Sequence, residues 1–346
     1  MVNSPAPADF AHALDLLNAG ALVALPTETV YGLGADASNP DAVAKIFAAK
    51  GRPADHPLIV HLANAEAMQD WARDVPEYAR QLAAAFWPGP LTLILKKQSW
   101  VLDAVTGGQD TVGLRVPAHP VALELLRCFA ASRHDSPAGI AAPSANRFGR
   151  ISPTTAEHVR DEFADATPFI LDGGPCAVGI ESTIVDCSRH QPVVLRPGHI
   201  TAAQIAAVLS GEQAQSPAND MHAARKAAPR VSGSLAAHYA PATPLRIVKS
   251  QDIPEVLAVW QHAGKRCGVV AYSVDPRDAS FHELVRMPAT SMEYAQGLYA
   301  ALRKLDAEGL DQIIVEALPD SQDWAAIADR LQRATAAHAL ADSSGR

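Results

Sequence analysis

Two cations lie two residues apart in Lys50-Gly51-Arg52. They end a segment, Asn39–Lys50, that is predicted to be helical because Pro40 suits the first helical position and a glycine suits the position just past the last turn. Cations at a helix end often do no more than stabilise that end. Alternatively, the glycine lets the chain turn so that lysine, a point charge, and arginine, a two-pronged donor, converge on phosphate groups.

A third cation, Arg115, lies in the apolar stretch Thr111–Val116, which is typical of a strand. On a strand, Thr111 and Arg115 would point to the same face, because side chains alternate. An arginine buried there needs an anionic partner, either a carboxylate of the protein or one of a substrate. His61 ends another predicted strand, Pro57–Leu62. A single histidine is more often structural than catalytic, but its place at a strand end favours a functional role.

Polar side chains, mainly hydroxyls and amides but also Arg196, cluster at further predicted strand ends. Each cluster alone could be a turn or a helix cap. Together they favour a ligand site, because ligands bind at strand ends in α/β sheets and phosphates bind at helix N-termini. The clusters are the loop Pro26–Gly34, Ala142-Pro-Ser144-Ala-Asn146 with Ser152-Pro-Thr-Thr155, Gly179-Ile-Glu-Ser182-Thr183, and Leu195-Arg196-Pro-Gly198.

Helical and strand patterns mix along residues 1–209, which predicts a twisted mixed α/β sheet with helices. Residues 210–244 are rich in Ala, Ser, Pro and Gly without clear periodicity and are predicted to be a linker or lid. Residues 245–346 alternate strands and helices and predict a smaller α/β domain with a parallel sheet. The strands predicted there are Leu245–Val248, Gly268–Tyr272 and Gln312–Glu316, and the helices are Ile253–His262, Met292–Ala307 and Trp324–Ala334.

One nucleotide-binding pattern is present in a context that does not suit it. Gly32-Leu-Gly34-Ala-Asp-Ala37 fits G-x-G-x-x-G/A, but the preceding strand ends at Leu25 and the next helix begins only at Asn39. This spacing argues against a Rossmann dinucleotide site. The sequence also contains no Walker A motif, no zinc-protease H-E-x-x-H and no G-x-S-x-G.

Composition narrows the class of protein. The 346 residues are 48% hydrophobic and carry a formal net charge of −8. The charge is −6 for residues 1–209, +1 for 210–244 and −3 for 245–346, so bulk binding to a nucleic-acid backbone is disfavoured. The four cysteines form no C-x-x-C pair, and we see no signal peptide or apolar run of membrane-spanning length. We expect a soluble cytoplasmic protein without a protein-held metal site.

The order and spacing of these motifs over about 200 residues resemble the YrdC-like family, of which the paired K-x-R and S-x-N motifs are typical. The extension after residue 244 resembles that of two-domain family members with a small Rossmann-like domain. The resemblance implies a transferase, more narrowly a nucleotidyltransferase, that makes threonylcarbamoyl-AMP and pyrophosphate from L-threonine, bicarbonate and ATP, with Mg²⁺. The product would pass to the machinery that threonylcarbamoylates tRNA.

The resemblance also implies residue roles. Lys50 and Arg52 would be the catalytic residues. The residues expected to contact L-threonine are Thr29, His61, Arg115, Ala142 and Ser182. Those expected to contact ATP are Lys50, Arg52, His56, Thr111, Ser144, Asn146, Ser152, Arg196 and Val231.

Two of these positions depart from the family pattern. His56 stands where many relatives have asparagine, and Val231-Ser-Gly-Ser234 stands where some have Ser-Pro-Gly-Met. An ATP contact at Val231 would therefore use backbone groups.

Two other functions compete with the synthase. A non-catalytic RNA-binding module of the same fold should show a basic surplus, and the motif-bearing domain is acidic. A carbamoyl-handling domain of a hydrogenase-maturation protein should bring zinc-finger cysteines and an acylphosphatase-like segment, and the sequence has neither.

Overall fold

The computed structural model describes residues 5–133, 136–209, 228–274 and 281–344, with only the backbone described for 339–344. The chain forms two compact units. The first comprises Met1–Arg147, Pro153–Ala177 and Glu181–Ser234, and the second comprises Phe148–Ser152, Val178–Ile180 and Leu235–Arg346. Residues 210–227 of the predicted lid lie outside the described residues. The predicted domain boundaries at 209 and 244 stay predictions.

The first unit is built on a mixed sheet. Its described strands are β1 (Val23–Leu25), β2 (Gly32–Asp36), β3 (Ile59–His61), β4 (Leu91–Lys96), β5 (Thr111–Arg115), β6 (Ile140–Ala141), β7 (Phe169–Ile170), β8 (Thr183–Asp186) and β9 (Val193–Arg196). They lie in the order β7-β1-β2-β6-β3-β5-β4-β8-β9. The pairs β1–β7, β3–β5 and β4–β8 are parallel and the other pairs are antiparallel. The predicted mixed α/β sheet is confirmed.

Helices cover the apolar faces of this sheet. They are α1 (Pro7–Asn18), α2 (Pro40–Lys50), α3 (Met68–Trp71), α4 (Glu77–Phe86), α5 (Asp103–Thr106), α6 (Pro120–Ala131), α7 (Ala156–Phe163) and α8 (Ala202–Leu209). One core cluster joins α2, α4 and α8 to the strands, and another joins α1 and α6 to them. Burial of these apolar faces stabilises the fold by about 25 cal/mol per Å² of apolar surface. It thereby holds in place the strand ends that carry the polar residues.

Helix α2 begins and ends where its sequence predicts. The Asn39 side chain accepts hydrogen bonds from the Asp41 and Ala42 amides at 3.0 and 3.2 Å, and Pro40 is the first helical residue. Gly51 has φ = +61°, a left-handed conformation that glycine adopts without steric strain. The turn therefore redirects the chain between Lys50 and Arg52.

The sequence interpretation of Pro26–Gly34 as one loop is wrong in part. Gly32 begins β2, which pairs with β1 in a hairpin that aligns Val23 with Gly34. A Cβ added at Gly34 would lie 2.7 Å from Leu25 Cδ2, so glycine is needed here for close strand packing and not for a flexible turn. Since Gly32-Leu-Gly34 lies on a strand and not at a helix N-terminus, it is no dinucleotide fingerprint.

The second unit contains a parallel sheet. Its described strands are β10 (Leu245–Val248), β11 (Cys267–Ala271), β12 (Glu283–Arg286) and β13 (Gln312–Glu316), and its helices are α9 (Ile253–His262), α10 (Ser291–Asp306) and α11 (Ala325–Ser344). The order is β10-β13-β11-β12 with every pair parallel. The predicted small parallel α/β domain is confirmed. Sequence reasoning missed β12, a four-residue strand at the edge of the sheet.

Candidate active site

Lys50 is a buried lysine at the end of α2. Its Nζ donates to the carbonyl oxygen of Ser144 at 2.5 Å and to that of Asn146. Burial lowers the pKa of Lys50 well below 10.5, the neighbouring Arg52 lowers it further, and Glu162 opposes the shift. The lysine of the K-x-R motif thus holds the main chain of the S-x-N motif, so the two motifs lie in contact. That they bind a common ligand stays a prediction.

Arg115, at the end of β5, is buried with a protein carboxylate as its partner. Its Nη2 donates to Glu28 Oε1 at 2.6 Å, its Nη1 donates to Thr29 Oγ1 at 2.9 Å, and its Nε donates to the Gly89 carbonyl at 3.2 Å. The second oxygen of Glu28 accepts from the Ala118 amide at 3.0 Å. A guanidinium has five N–H donors. Among the described residues, three of these donors therefore have partners, one on each nitrogen, which leaves one N–H on each terminal nitrogen.

His61 is a buried neutral imidazole beside Arg115. The parallel register of β3 and β5 aligns the two residues. Burial, reinforced by the Arg115 charge, lowers the pKa of His61 from 6.5 to about 3, against the opposing effect of the Ile59 and Ile140 carbonyls. Among the described residues His61 Nδ1 has no hydrogen-bond partner. A buried polar nitrogen without a partner is expensive, and a ligand would satisfy it.

Ser182 and Arg196 form a second polar cluster. Arg196, at the end of β9, donates from Nε and Nη2 to the Ser182 carbonyl at 3.0 and 2.9 Å and from Nη2 to the Ser182 hydroxyl at 3.2 Å. The hydroxyl of Thr92 on β4 lies 2.7 Å from that of Ser182. All three residues are buried. Sequence reasoning predicted Ser182 and Arg196 but missed Thr92, which lies inside an apolar strand pattern and gave no signal.

Part of the predicted lid, Arg230–Ser234, lies against the side chains of Arg52 and Arg196. Arg52 Nη2 donates to the Ser232 hydroxyl at 3.2 Å, and Arg196 Nη1 donates to the Ser232 carbonyl at 2.8 Å. The Val231 side chain is buried among Ile94 and Ile184. The space left beside this segment is a cavity of about 10 Å³, about enough for one water molecule.

The remaining predicted residues are more scattered. Thr111 lines the small cavity beside Ser232. His56 is half-buried, its Nε2 lies 3.9 Å from Asp55 Oδ1, and burial and Arg52 lower its pKa. The backbone amide of Ala142 donates to the Ile59 carbonyl at 3.0 Å. Ser152 is buried but belongs to the second unit, so its assignment to ATP stays a prediction.

Sequence reasoning missed two further buried residues, Thr27 and Glu28. The sequence argument that a buried Arg115 needs an anionic partner did not name one. Glu28, in the loop after β1, is that partner. Thr27 is hydrogen-bonded to Thr29, a predicted threonine contact, at 2.8 Å between hydroxyl oxygens. Both residues lie within the loop that was predicted to bind a ligand, but sequence reasoning did not single them out.

Comparison with known proteins fits this arrangement. A family model described as Telomere recombination, that of the Sua5/YciO/YrdC proteins, matches residues 15–198, and one described as Threonylcarbamoyl-AMP synthase, C-terminal domain, matches residues 200–336. The chain belongs to the Sua5/YrdC family of threonylcarbamoyl-AMP synthases. The predicted resemblance is confirmed.

Relatives in this family match the chain over almost its full length. The threonylcarbamoyl-AMP synthase of Bacillus subtilis is 42% identical, over 94% of this chain and 92% of its own. That of Pyrococcus abyssi is 40% identical, over 93% of both chains. The crystal structure of P. abyssi Sua5 complexed with L-threonine superposes with a TM-score of 0.82 at 38% identity, covering 95% of this chain and 94% of that one.

Across the described residues, no helix is long and apolar enough to cross a membrane.

Proposed function

We propose that this chain, like its Sua5/YrdC relatives, makes threonylcarbamoyl-AMP from L-threonine, bicarbonate and ATP and releases pyrophosphate, and is in that sense a nucleotidyltransferase. The observation that carries the proposal is the Arg115 guanidinium, buried beside Thr29 and His61 with one N–H left on each terminal nitrogen. Two such donors suit a carboxylate bound through both oxygens. The P. abyssi relative crystallised with L-threonine supports an amino acid as the ligand.

The threonine side of the site would be Arg115 with its neighbours. Arg115 would take the carboxylate of threonine, while the neutral His61 would bring a nitrogen without adding charge. Thr29 and Ser182 would offer hydroxyls, and Ala142 its backbone. Holding these groups in a buried site supplies the orientation that the chemistry needs.

The ATP side would be built around Lys50, Arg52 and Arg196. Phosphate oxygens would replace Ser232 as acceptors for the two arginines. Phosphate charge would also raise the pKa of Lys50 again, so ATP and the protonated ammonium would favour each other. The other expected contacts are His56, Thr111, Ser144, Asn146, Ser152 and the backbone of Val231.

The reaction needs no enzyme nucleophile. The threonine amine adds to carbon dioxide derived from bicarbonate and loses a proton, which gives a carbamate. A carbamate oxygen then attacks the α-phosphorus of ATP, the bond from that phosphorus to the bridging oxygen breaks, and pyrophosphate leaves. Lys50 and Arg52 would stabilise the charge that builds up on the phosphates. The segment Arg230–Ser234 would shield the product from water.

Among the described residues, no three His, Cys, Asp or Glu side chains come together in a metal-binding group. Because Mg²⁺ commonly binds through substrate phosphates, the ion would arrive on the phosphates of ATP and neutralise part of their charge. The proposal also includes a cytoplasmic location and transfer of the product to the tRNA-modifying proteins. It includes no stable binding of nucleic acid.

The test is pyrophosphate release by the purified full chain with ATP, bicarbonate and L-threonine. We expect release that requires threonine and yields a product with the mass of threonylcarbamoyl-AMP. Arg52→Ala should lose this activity. Asp36→Asn, which alters a buried carboxylate paired with Arg133 outside the site, is the matched control and should retain it. Release that ignores threonine, or none with any divalent metal, would refute the assignment.

A further inference from the structure

The side chain of Thr92 lies on the face of β4 that turns toward the candidate site. On this strand, Leu91 and Leu93 pack in the core cluster that includes α4. Ile94 packs on the other face, against Val231 of the predicted lid. Because side chains two apart on a strand share a face, Thr92 lies on the face of Ile94. Thr92 is 0% exposed, so its hydroxyl depends on partners in the protein or in a ligand.

The Thr92 hydroxyl has one partner in the described part of the chain, the hydroxyl of Ser182. The two oxygens lie 2.7 Å apart. Arg196 Nη2 also donates to Ser182 Oγ, at 3.2 Å. The two hydroxyls have two hydrogens and make one mutual hydrogen bond, which uses only one of them. Whichever residue donates in that bond, the described residues offer no acceptor for the second hydrogen.

A bound substrate decides which residue keeps the second hydrogen. Both residues are buried, and a buried hydroxyl hydrogen without an acceptor is costly. If Thr92 donates to Ser182, the second hydrogen is on Ser182, which the proposed function places against L-threonine. A substrate oxygen can then accept it. If Ser182 donates instead, the second hydrogen stays on Thr92 without an acceptor among the described residues. A substrate oxygen at Ser182 therefore favours the first orientation.

The Ser182 oxygen has no lone pair left in this first orientation. It accepts from Arg196 and from Thr92, and a hydroxyl oxygen has two lone pairs. A substrate group that reaches Ser182 must then accept. An ammonium could bind there only by reversing the pair, which would leave the Thr92 hydrogen without an acceptor. The positive charge of the neighbouring Arg196 also disfavours an ammonium and favours an oxygen.

We infer that Thr92 is a positioning residue: it donates to Ser182 and thereby directs the Ser182 hydroxyl hydrogen at an oxygen of the bound L-threonine and not at its ammonium. The inference rests on the proposed function, since it specifies how Ser182 of the same site meets threonine. Thr92 itself does not contact the substrate in this arrangement. Its effect on binding therefore passes through Ser182.

The experiment measures the dissociation constant of L-threonine for the full chain by calorimetry. Thr92→Ser keeps the hydroxyl and should bind threonine as the parent does. Thr92→Val should bind it about fivefold more weakly, the fold-change of one neutral hydrogen bond. Thr106→Val is the matched control, because Thr106 is also buried and its hydroxyl bonds the main-chain carbonyl of Asp103. This control should bind threonine as the parent does.

A double substitution tests whether Thr92 acts through Ser182. In the Ser182→Ala background, Thr92→Val should weaken threonine binding no further, because the hydroxyl that Thr92 orients is gone. A residue with a merely structural role would instead give fold-changes that multiply. Multiplied fold-changes would overturn the inference, and so would a Thr92→Val variant that binds threonine as the parent does.

A second measurement needs no substitution at Thr92 and applies if Thr92→Val does not fold. (R)-3-hydroxybutanoate is threonine without its ammonium and keeps all its oxygens. Ser182→Ala should weaken the binding of both compounds by the same factor. A loss confined to threonine would show that Ser182 meets the ammonium and would overturn the inference alone. A parent protein that neither binds threonine nor releases pyrophosphate with it overturns the proposed function, and the inference falls with it.

Discussion

Protonation of His61 offers a quantitative test of the buried site. His61 has a pKa of about 3 in the folded chain, against 6.5 when exposed. Between these values the unfolded chain binds a proton that the folded chain excludes, so stability falls as the pH falls. The stabilising contribution is complete above pH 6.5. It is lost at about 1.4 kcal/mol per pH unit on going down, to a total of about 5 kcal/mol near pH 3.

The practical window is pH 6.5 to 5, over which this one residue should remove about 2 kcal/mol of stability. For a unit of this size that corresponds to a fall in Tm of about 4 to 8 °C. Other groups also titrate in this window, so the measured quantity is the difference between the parent and His61→Gln. We expect the Tm of the parent to approach that of His61→Gln as the pH falls, because the variant lacks the penalty.

The assay is scanning calorimetry at several pH values, with hydrogen exchange of peptides from β3 and β5 to report on the first unit specifically. The exposed His262, in the second unit, provides the control His262→Gln for loss of a histidine as such. Parallel pH dependence of the parent and His61→Gln would refute the buried neutral imidazole. An NMR titration of the His61 ring that showed protonation near pH 6.5 would refute it as well.

Three other substitutions test the remaining contacts. Lys50→Ala should abolish product formation and also lower the unfolding free energy by about 2 to 4 kcal/mol, because two buried carbonyls lose their donor. Arg52→Ala should abolish activity with a smaller loss of unfolding free energy. Equal denaturation midpoints for the two variants would show that Lys50 does not hold the Ser144–Asn146 main chain. Glu28→Gln should raise the KM for threonine about tenfold with little change in that for ATP, because Arg115 and the Ala118 amide donate to different oxygens of Glu28 and the NH2 group of glutamine would face one of these two donors. An unaltered KM for threonine, beside the Asp36→Asn control, would count against this expectation. Asp55→Asn breaks an exposed ion pair with Arg230 and should change Tm by less than about 2 °C. A larger fall in Tm, measured by differential scanning fluorimetry, would contradict the assignment of this ion pair as a weak surface contact.

The sequence predicted those parts of the fold that periodicity and capping determine locally. Helix α2 was predicted with its cap residues because Asn39, Pro40 and Gly51 each have a conformational preference that acts within a few residues. The same holds for the strand β13, whose central Ile313-Ile-Val315 is an apolar run, and for β10, in which three of the four residues are apolar. Local preference did not identify β2, because its glycines pack against β1 and that contact is set by the hairpin.

The site was predicted in outline for a related reason. Polar residues at strand ends, such as Ser144, can be read from sequence once the strands are placed, whereas Lys50 ends helix α2 and was expected near Ser144 because the resemblance pairs the K-x-R and S-x-N motifs. Which hydrogen bond each makes could not be predicted. Thr92 faces Ser182 only because β4 and β8 run parallel in one register, and Ser232 reaches Arg52 across 180 residues of chain.

Arg115 shows how far a physical argument from sequence can reach. Burial of a charge demanded an anionic partner, and the sequence left open whether that partner was a protein carboxylate or a substrate. Glu28 is the protein partner, so the first alternative is present in the structure. A substrate anion remains compatible with this arrangement. Among the described residues, Glu28, Thr29 and Gly89 use three of the five N–H donors of the guanidinium and leave one N–H on each terminal nitrogen. Three protein acceptors therefore hold the guanidinium in place, and the proposed contact with the threonine carboxylate would use the N–H groups that it retains.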